Sequence, residues 1–224
     1  MAYELLGKGA ESLIYIGEIF GQKIVIKQRV SKPYRNEIFD KEFRRVRTRT
    51  EAKVLIDLFL NGVNVPTPLF VDLKNYVIVM EYINGKKLID VIEELNQEKI
   101  MIYAEELGRQ VGKMHSLDIY HGDLTLGNIL VTKNEKLYVI DFGLAGYSRD
   151  IEEYAIDLHL LRRNILAVIP DLYDTFFINF LKGYRSSYSK DYNAVIKRFE
   201  EIRLRGRYVE ERLKKRIWRE KYIE

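Results

Sequence analysis

The dipeptide Asn84-Gly85 divides this 224-residue chain into two stretches with different hydrophobic periods, and that change of period limits the folds open to it. Before it the pattern is mostly that of strands. Ser12 to Phe20 and Lys23 to Gln28 are short β-branched and apolar runs separated by Gly21, which predicts a hairpin. Leu69 to Leu73 and Tyr76 to Met80 form a second strand pair joined by Lys74-Asn75. Between the pairs, one helical segment runs from about Glu37 to Leu60 and ends at Asn61-Gly62, with Phe43, Val46, Val54, Leu55 and Leu58 expected on one side. After Asn84-Gly85 nearly everything reads as helix. Ile100, Tyr103, Ala104, Leu107, Val111 and Met114 keep i, i+3, i+4, i+7 spacing, so residues 100–117 form an amphipathic helix. Further helical patterns cover about 152–168, 171–187, 191–204 and 207–222, and one hairpin interrupts them, Ile129 to Thr132 with Leu137 to Ile140. The expected fold class is α+β, with a β-rich lobe over 1–82, a helical lobe over 83–204 and a basic tail helix over 205–224.

Composition removes several function classes. With 47% apolar and 31% charged residues and only 4 Pro, the chain buries a core and is not disordered. The absence of Cys excludes disulfides, a thiolate zinc site and a thiol nucleophile. The longest apolar stretch, Asn164 to Leu181, is broken by Pro170, Asp171 and Asp174, and Met1-Ala2-Tyr3-Glu4 lacks a basic start; a soluble, cytoplasmic protein is expected, with no membrane partner. The net charge of +4 is unevenly placed. Residues 197–224 hold eleven Lys or Arg against six Glu, which leaves the rest of the chain at −1. Arg205, Arg207, Lys214, Lys215 and Arg216 form the core of this excess and suit nucleic-acid phosphates or a partner, although a charge run is also an ordinary solvated face.

Three motifs carry chemistry. Gly7-Lys8-Gly9-Ala10-Glu11-Ser12 is a G-x-G-x-x-S loop leading into a strand rather than a helix, the context of a loop folded over phosphates, with Gly7, Gly9 and Ser12 as its contacts. Lys27, closing Val25-Ile26-Lys27, is placed to neutralise phosphates if a helix carboxylate holds its ammonium. Glu51 is the expected partner because it precedes Val54, Leu55 and Leu58 by three, four and seven positions, with Glu37 and Glu42 as alternatives. The most specific motif is His121-Gly122-Asp123-Leu124-Thr125-Leu126-Gly127-Asn128 followed by Val139-Ile140-Asp141-Phe142-Gly143. A hairpin between the two would bring Asn128 and Asp141 together as oxygen ligands for Mg²⁺, with Asp123 accepting the proton of an incoming hydroxyl. His115, His121 and Asp157 are read as structural.

On these residues the chain resembles the protein-kinase superfamily over nearly its whole length, in a compact two-lobed form. It is most similar to the small atypical kinase/ATPase subunit of the KEOPS complex. The carrying segments are Lys32-Pro33-Tyr34-Arg35, Arg47-Thr48-Arg49-Thr50-Glu51-Ala52, the His121 and Asp141 loops, and Arg205-Gly206-Arg207. The resemblance implies ATP with Mg²⁺, a hinge at Glu81-Tyr82-Ile83 meeting adenine, serine phosphorylation or ATP hydrolysis, and partnership with the complex's transferase subunit, a small KEOPS subunit and tRNA during threonylcarbamoyladenosine synthesis. Gly122 stands where regulated kinases carry an Arg, and only thirteen residues separate Gly143 from Asp157, so phosphate-driven switching and extended peptide docking are not expected. Rival readings are a RIO-type kinase, a small-molecule kinase of the aminoglycoside type, and a non-catalytic tRNA-binding scaffold.

Overall fold

A computed structural model describes residues 3–9 and 11–205; the tail positions Arg207, Lys214, Lys215 and Arg216 lie outside the described residues. The N-terminal part is a five-stranded antiparallel sheet built from β1 (Glu4–Lys8), β2 (Ser12–Ile19), β3 (Gln22–Arg29), β4 (Pro68–Asp72) and β5 (Val77–Glu81), in the order β1-β2-β3-β5-β4. Phe20 (φ 50°) and Gly21 (φ 78°) turn the β2–β3 hairpin. Two positive φ values in a two-residue loop match the right-handed twist of the strands it joins. β1 is an element the strand pattern did not foretell, and it places Gly7 inside a strand, opposite Ile14, after a register shift between Leu5 and Gly7.

Helix α1 (Glu37–Leu60) packs on this sheet. Asn36 caps it by accepting from the N–H of Ile38 at 3.0 Å. Its buried side carries Asp40, Thr48, Glu51, Ala52, Val54, Leu55 and Leu58. The expectation for Phe43 and Val46 is corrected: Val46 is 49% exposed, and Phe43 is half-buried under the Arg35 guanidinium, 4.2 Å from its ring centre. α1 buries a polar stripe: Asp40 pairs with Arg35 and Arg44, Thr48 bonds the Arg44 carbonyl, and Glu51 meets Lys27 and Arg29 of β3. A search for apolar period alone misses such a face.

Beyond Tyr82-Ile83-Asn84 come β6 (Gly85–Lys87), the single turn α2 (Leu88–Val91) and the amphipathic α3 (Gln97–Ser116), begun by Asn96 accepting from Lys99 N–H at 2.9 Å. β7 (Ile119–Tyr120), β8 (Ile129–Thr132), β9 (Leu137–Val139) and β10 (Gly146–Tyr147) follow, then α4 (Ile151–Val168), α5 (Tyr173–Ser187) and α6 over 192–205. β6, β8 and β9 form one small sheet, and β7 with β10 another. The short strands β6, β7 and β10 were not foreseen. Each is too brief to carry an alternating pattern and exists only through its partner. One buried cluster runs from Ala52 and Leu55 of α1 through Leu107 and Phe142 to Phe180 and Phe199. Among the described residues no helix is long and apolar enough to cross a membrane.

Candidate active site

A cleft of about 780 Å³ lies between the five-stranded sheet and the small β6-β8-β9 sheet. Val25, Met80, Leu130 and Ile140 give it apolar walls, while Lys27, Glu51, Asn128 and Asp141 supply polar groups. Glu81, Lys86, Lys87, Asp90 and Glu94 also line it, and a concavity with apolar walls and charged groups set into them suits a polar small molecule. Of the residues expected from sequence, Gly7, Lys27, Glu51, Glu81, Ile83, Asn128 and Asp141 line it. Gly9, Ser12 and Asp123 are not on its wall. Gly9 donates its N–H to the Ser12 carbonyl at 2.8 Å, so both close the turn behind Gly7.

β3 sets the cation. Side chains alternate along a strand, so Val25, Lys27 and Arg29 share the face turned to α1. The strand continues two residues past Lys27, and both Lys27 and Arg29 are buried, at 6% and 5% exposure. Lys27 Nζ lies 2.6 Å from Glu51 Oε1 and 2.7 Å from Asp141 Oδ1, and Arg29 Nη2 lies 2.6 Å from Glu51 Oε2. The alternatives Glu37 and Glu42 pair instead with Lys41 and Arg45 at the exposed side of α1. Burial works against the Lys27 ammonium, but Glu51 and Asp141 outweigh it and hold the group above its ordinary value of 10.5. Burial likewise pushes the Asp141 carboxyl up, and Lys27 more than offsets it, leaving Asp141 below the usual 3.8. Arg29 was not singled out in the sequence, although its spacing of two from Lys27 was the available signal.

The loop from His121 to Asn128 is held from behind. Asp157 of α4 accepts from the N–H of His121 at 2.6 Å and of Gly122 at 2.8 Å, and its Oδ2 is 3.2 Å from His115 Nε2. Asn164 accepts from Leu126 N–H at 2.8 Å. His121 is itself buried; its Nε2 lies 3.1 Å from the Ile140 carbonyl and its Nδ1 3.2 Å from Asp123 N–H, so Nε2 carries the proton. Asn128 donates its amide N–H₂ to the Asp123 carbonyl at 2.8 Å and to Asp123 Oδ2 at 3.0 Å. Asn128 lines the cleft and, both donors being spent, its amide oxygen has no donor on it among the described residues. Asp141 follows directly, because Ile140 N–H bonds the Asn128 carbonyl at 2.9 Å. It adopts φ 62°, a conformation few non-glycine residues take, and its side chain is 49% exposed towards the cleft.

At the hinge, Glu81 turns its carboxylate to Thr67 Oγ1 at 3.0 Å. The Ile83 carbonyl accepts from Gly85 N–H at 3.0 Å, while the Ile83 N–H bonds no described residue. Gly122 has φ 79°, and a Cβ there would stand 2.6 Å from the Leu144 carbonyl oxygen, so no arginine fits. The chain after Asp141 is pinned across to α1: Arg47 donates to the Gly143 carbonyl at 3.4 Å, and the Tyr147 hydroxyl to Asp57 Oδ2 at 2.6 Å. Of the tail residues, Arg205, the last described, is exposed on α6, 3.9 Å from Glu152 Oε1.

The RIO domain family model matches residues 22–173. A KEOPS complex subunit Bud32 from Pyrococcus abyssi is 40% identical over 214 residues, spanning 92% of this chain and 97% of that protein. An EKC/KEOPS complex subunit BUD32 from Yarrowia lipolytica is 34% identical, spanning 91% of each. A probable bifunctional tRNA threonylcarbamoyladenosine biosynthesis protein from Methanobrevibacter smithii is 39% identical over 91% of this chain, which spans only 36% of that longer protein.

Proposed function

The chain belongs to the protein-kinase-like RIO-domain family and to the family of KEOPS complex subunit Bud32; from that premise we propose that it is an ATP-dependent atypical kinase or ATPase serving threonylcarbamoyladenosine modification of tRNA. The observation that carries the reading is the Lys27 ammonium, buried yet shared between Glu51 and Asp141 at the cleft floor. A raised, doubly paired lysine beside a half-exposed carboxylate is the arrangement a triphosphate and its metal require.

The residues fit ATP and Mg²⁺. The undonated oxygen of Asn128 and the carboxylate of Asp141 are hard oxygen ligands in one cleft, and among the described residues no group of three His, Asp or Glu could hold a metal alone. Two protein ligands with phosphate oxygens completing the shell is how Mg²⁺ is usually held. When bound, the ion would neutralise charge on the β- and γ-phosphates. Lys27 neutralises further phosphate charge, Glu51 keeps Lys27 in place, and Asp123 orients the acceptor hydroxyl or water. Val25, Met80, Leu130 and Ile140 would enclose the base, with the Ile83 N–H left to donate to it.

Gly122 and the pinned Gly143–Tyr147 segment favour a constitutively assembled site, with a serine of the protein itself or water as acceptor. On this reading residues 1–82 and 83–204 are the two lobes, and the partners are the KEOPS transferase subunit, a small KEOPS subunit and tRNA, the last through Arg205 and the basic residues beyond it. Incubation with γ-labelled ATP, with and without transferase subunit and tRNA, tests the assignment. Label should move to serine or to free phosphate, faster with both partners present; label that stays in ATP under every condition contradicts it.

A further inference from the structure

Glu51 is 2% exposed, yet its two oxygens serve two different cations, Lys27 on one side and Arg29 on the other. A buried carboxylate with a single cation must keep it, because removing the partner strands an uncompensated charge. Lys27 has competing claims on it: Asp141 at 2.7 Å and, if the cleft takes a nucleotide, its phosphates. Arg29 has none from the cleft. It is buried, two residues along the same face of β3, and its Nη1 points away towards Glu11 Oε2 at 3.9 Å. Glu11 in turn is paired with Arg35, and its carbonyl accepts from Val30 N–H at 3.1 Å, which ties the loop after β1 to the end of β3. Lys27, Arg29, Glu51 and Asp141 together carry no net charge.

We propose that Arg29 is a positioning residue for the nucleotide: it serves as the permanent counter-ion of Glu51 and so frees part of the Lys27 ammonium for phosphate. The inference rests on the reading of the cleft as a nucleotide site. Without Arg29, Glu51 would claim Lys27 alone, and the lysine would meet phosphate as half of a neutral pair.

The full chain is tested as Arg29→Gln, which keeps length and a donor but no charge, and as Arg29→Lys. Both are measured beside Lys27→Ala and Asp123→Ala, by equilibrium titration with a fluorescent ATP analogue and by steady-state ATP turnover. Arg29→Gln should weaken analogue affinity and raise KM about tenfold with a smaller fall in kcat. Arg29→Lys should restore both affinity and KM to within about threefold, since an ammonium can still pair with Glu51 Oε2. Unchanged affinity in Arg29→Gln overturns the proposal. So does a tenfold loss in Arg29→Lys, which alone is decisive should the Gln variant fail to fold. If Lys27→Ala and Asp123→Ala turn ATP over at the wild-type rate, it is the nucleotide-site reading that falls.

Discussion

His115 commits both ring nitrogens inside the core, Nδ1 to the Tyr184 hydroxyl at 2.9 Å and Nε2 to Asp157, whose oxygens also hold the loop at His121 and Gly122. Burial depresses the imidazole below its ordinary 6.5 despite Asp157. The neutral ring donates from Nε2 and accepts at Nδ1 from the phenol; protonation would force the Tyr184 bond to reverse and place a cation in the core. The sign follows by linkage. A depressed histidine leaves the unfolded chain binding more protons below 6.5, so stability is lost as pH falls through that value, at up to about 1.4 kcal/mol per pH unit for one proton. Urea unfolding between about pH 7 and pH 5 should therefore show a steeper loss in the wild type than in His115→Gln. Parallel slopes would contradict the neutral, depressed ring. His159 is also depressed by burial and contributes equally to both proteins, which is why the comparison rather than the absolute slope is informative.

Helices α3 and α5 meet at glycines. A Cβ on Gly183 would run into the carbonyl oxygen of Glu105, one on Gly108 into that of Phe180, and one on Gly112 would stand 2.7 Å from that of Tyr184. Such close approach brings Phe180 and Tyr184 against Leu107 and Val111, all fully buried, and aligns α3 so that His115 reaches Asp157. Two effects compete in Gly183→Ala. Alanine is favoured over glycine inside a helix by about 1 kcal/mol, whereas overpacking against rigid backbone costs about 1–3 kcal/mol or more. The obstacle here is a helix backbone carbonyl, which cannot rotate aside, so the clash wins and the variant should be less stable by about 2 kcal/mol in urea unfolding. An unchanged or stabilised variant would contradict this packing. α1 adds polar contacts to its buried Val54, Leu55 and Leu58: Tyr147 to Asp57 with the Lys53 ammonium 4.5 Å from the Tyr147 ring centre, and Arg47 to the Gly143 carbonyl.

Across the whole molecule, what could be read from sequence was what local periodicity and close spacing determine. The β-rich and helical halves, the bounds of α1, the hairpin turned at Gly21 and the meeting of Lys27, Glu51, Asn128 and Asp141 all rest on patterns within a few residues or on motifs of fixed order; Phe20, read as strand, belongs to the turn. Asp157, read as structural, accepts from the loop backbone at His121 and Gly122. What escaped depends on partners distant in the chain. β6 exists because it pairs with β8, β7 because it pairs with β10, and Arg29 matters because Glu51 has a second oxygen. The polar stripe of α1 escaped for the same reason, since Asp40 and Glu51 are buried against cations from outside the helix, Arg35 and the β3 pair Lys27 and Arg29. The contrast between a RIO-type and a KEOPS-type chain did not divide the possibilities, because one sequence matches both.

The central claim is that Lys27, Asp123, Asn128 and Asp141 form one phosphoryl-transfer site. The most direct measurement is the rate of phosphate release from γ-labelled ATP by the full chain with Mg²⁺, for the wild type, Lys27→Ala and Asp123→Ala at matched, verified folding. Each substitution should slow release by about a hundredfold or more, the scale of removing a positioned acid–base group or a phosphate cation. Release at the wild-type rate from both variants would contradict the account.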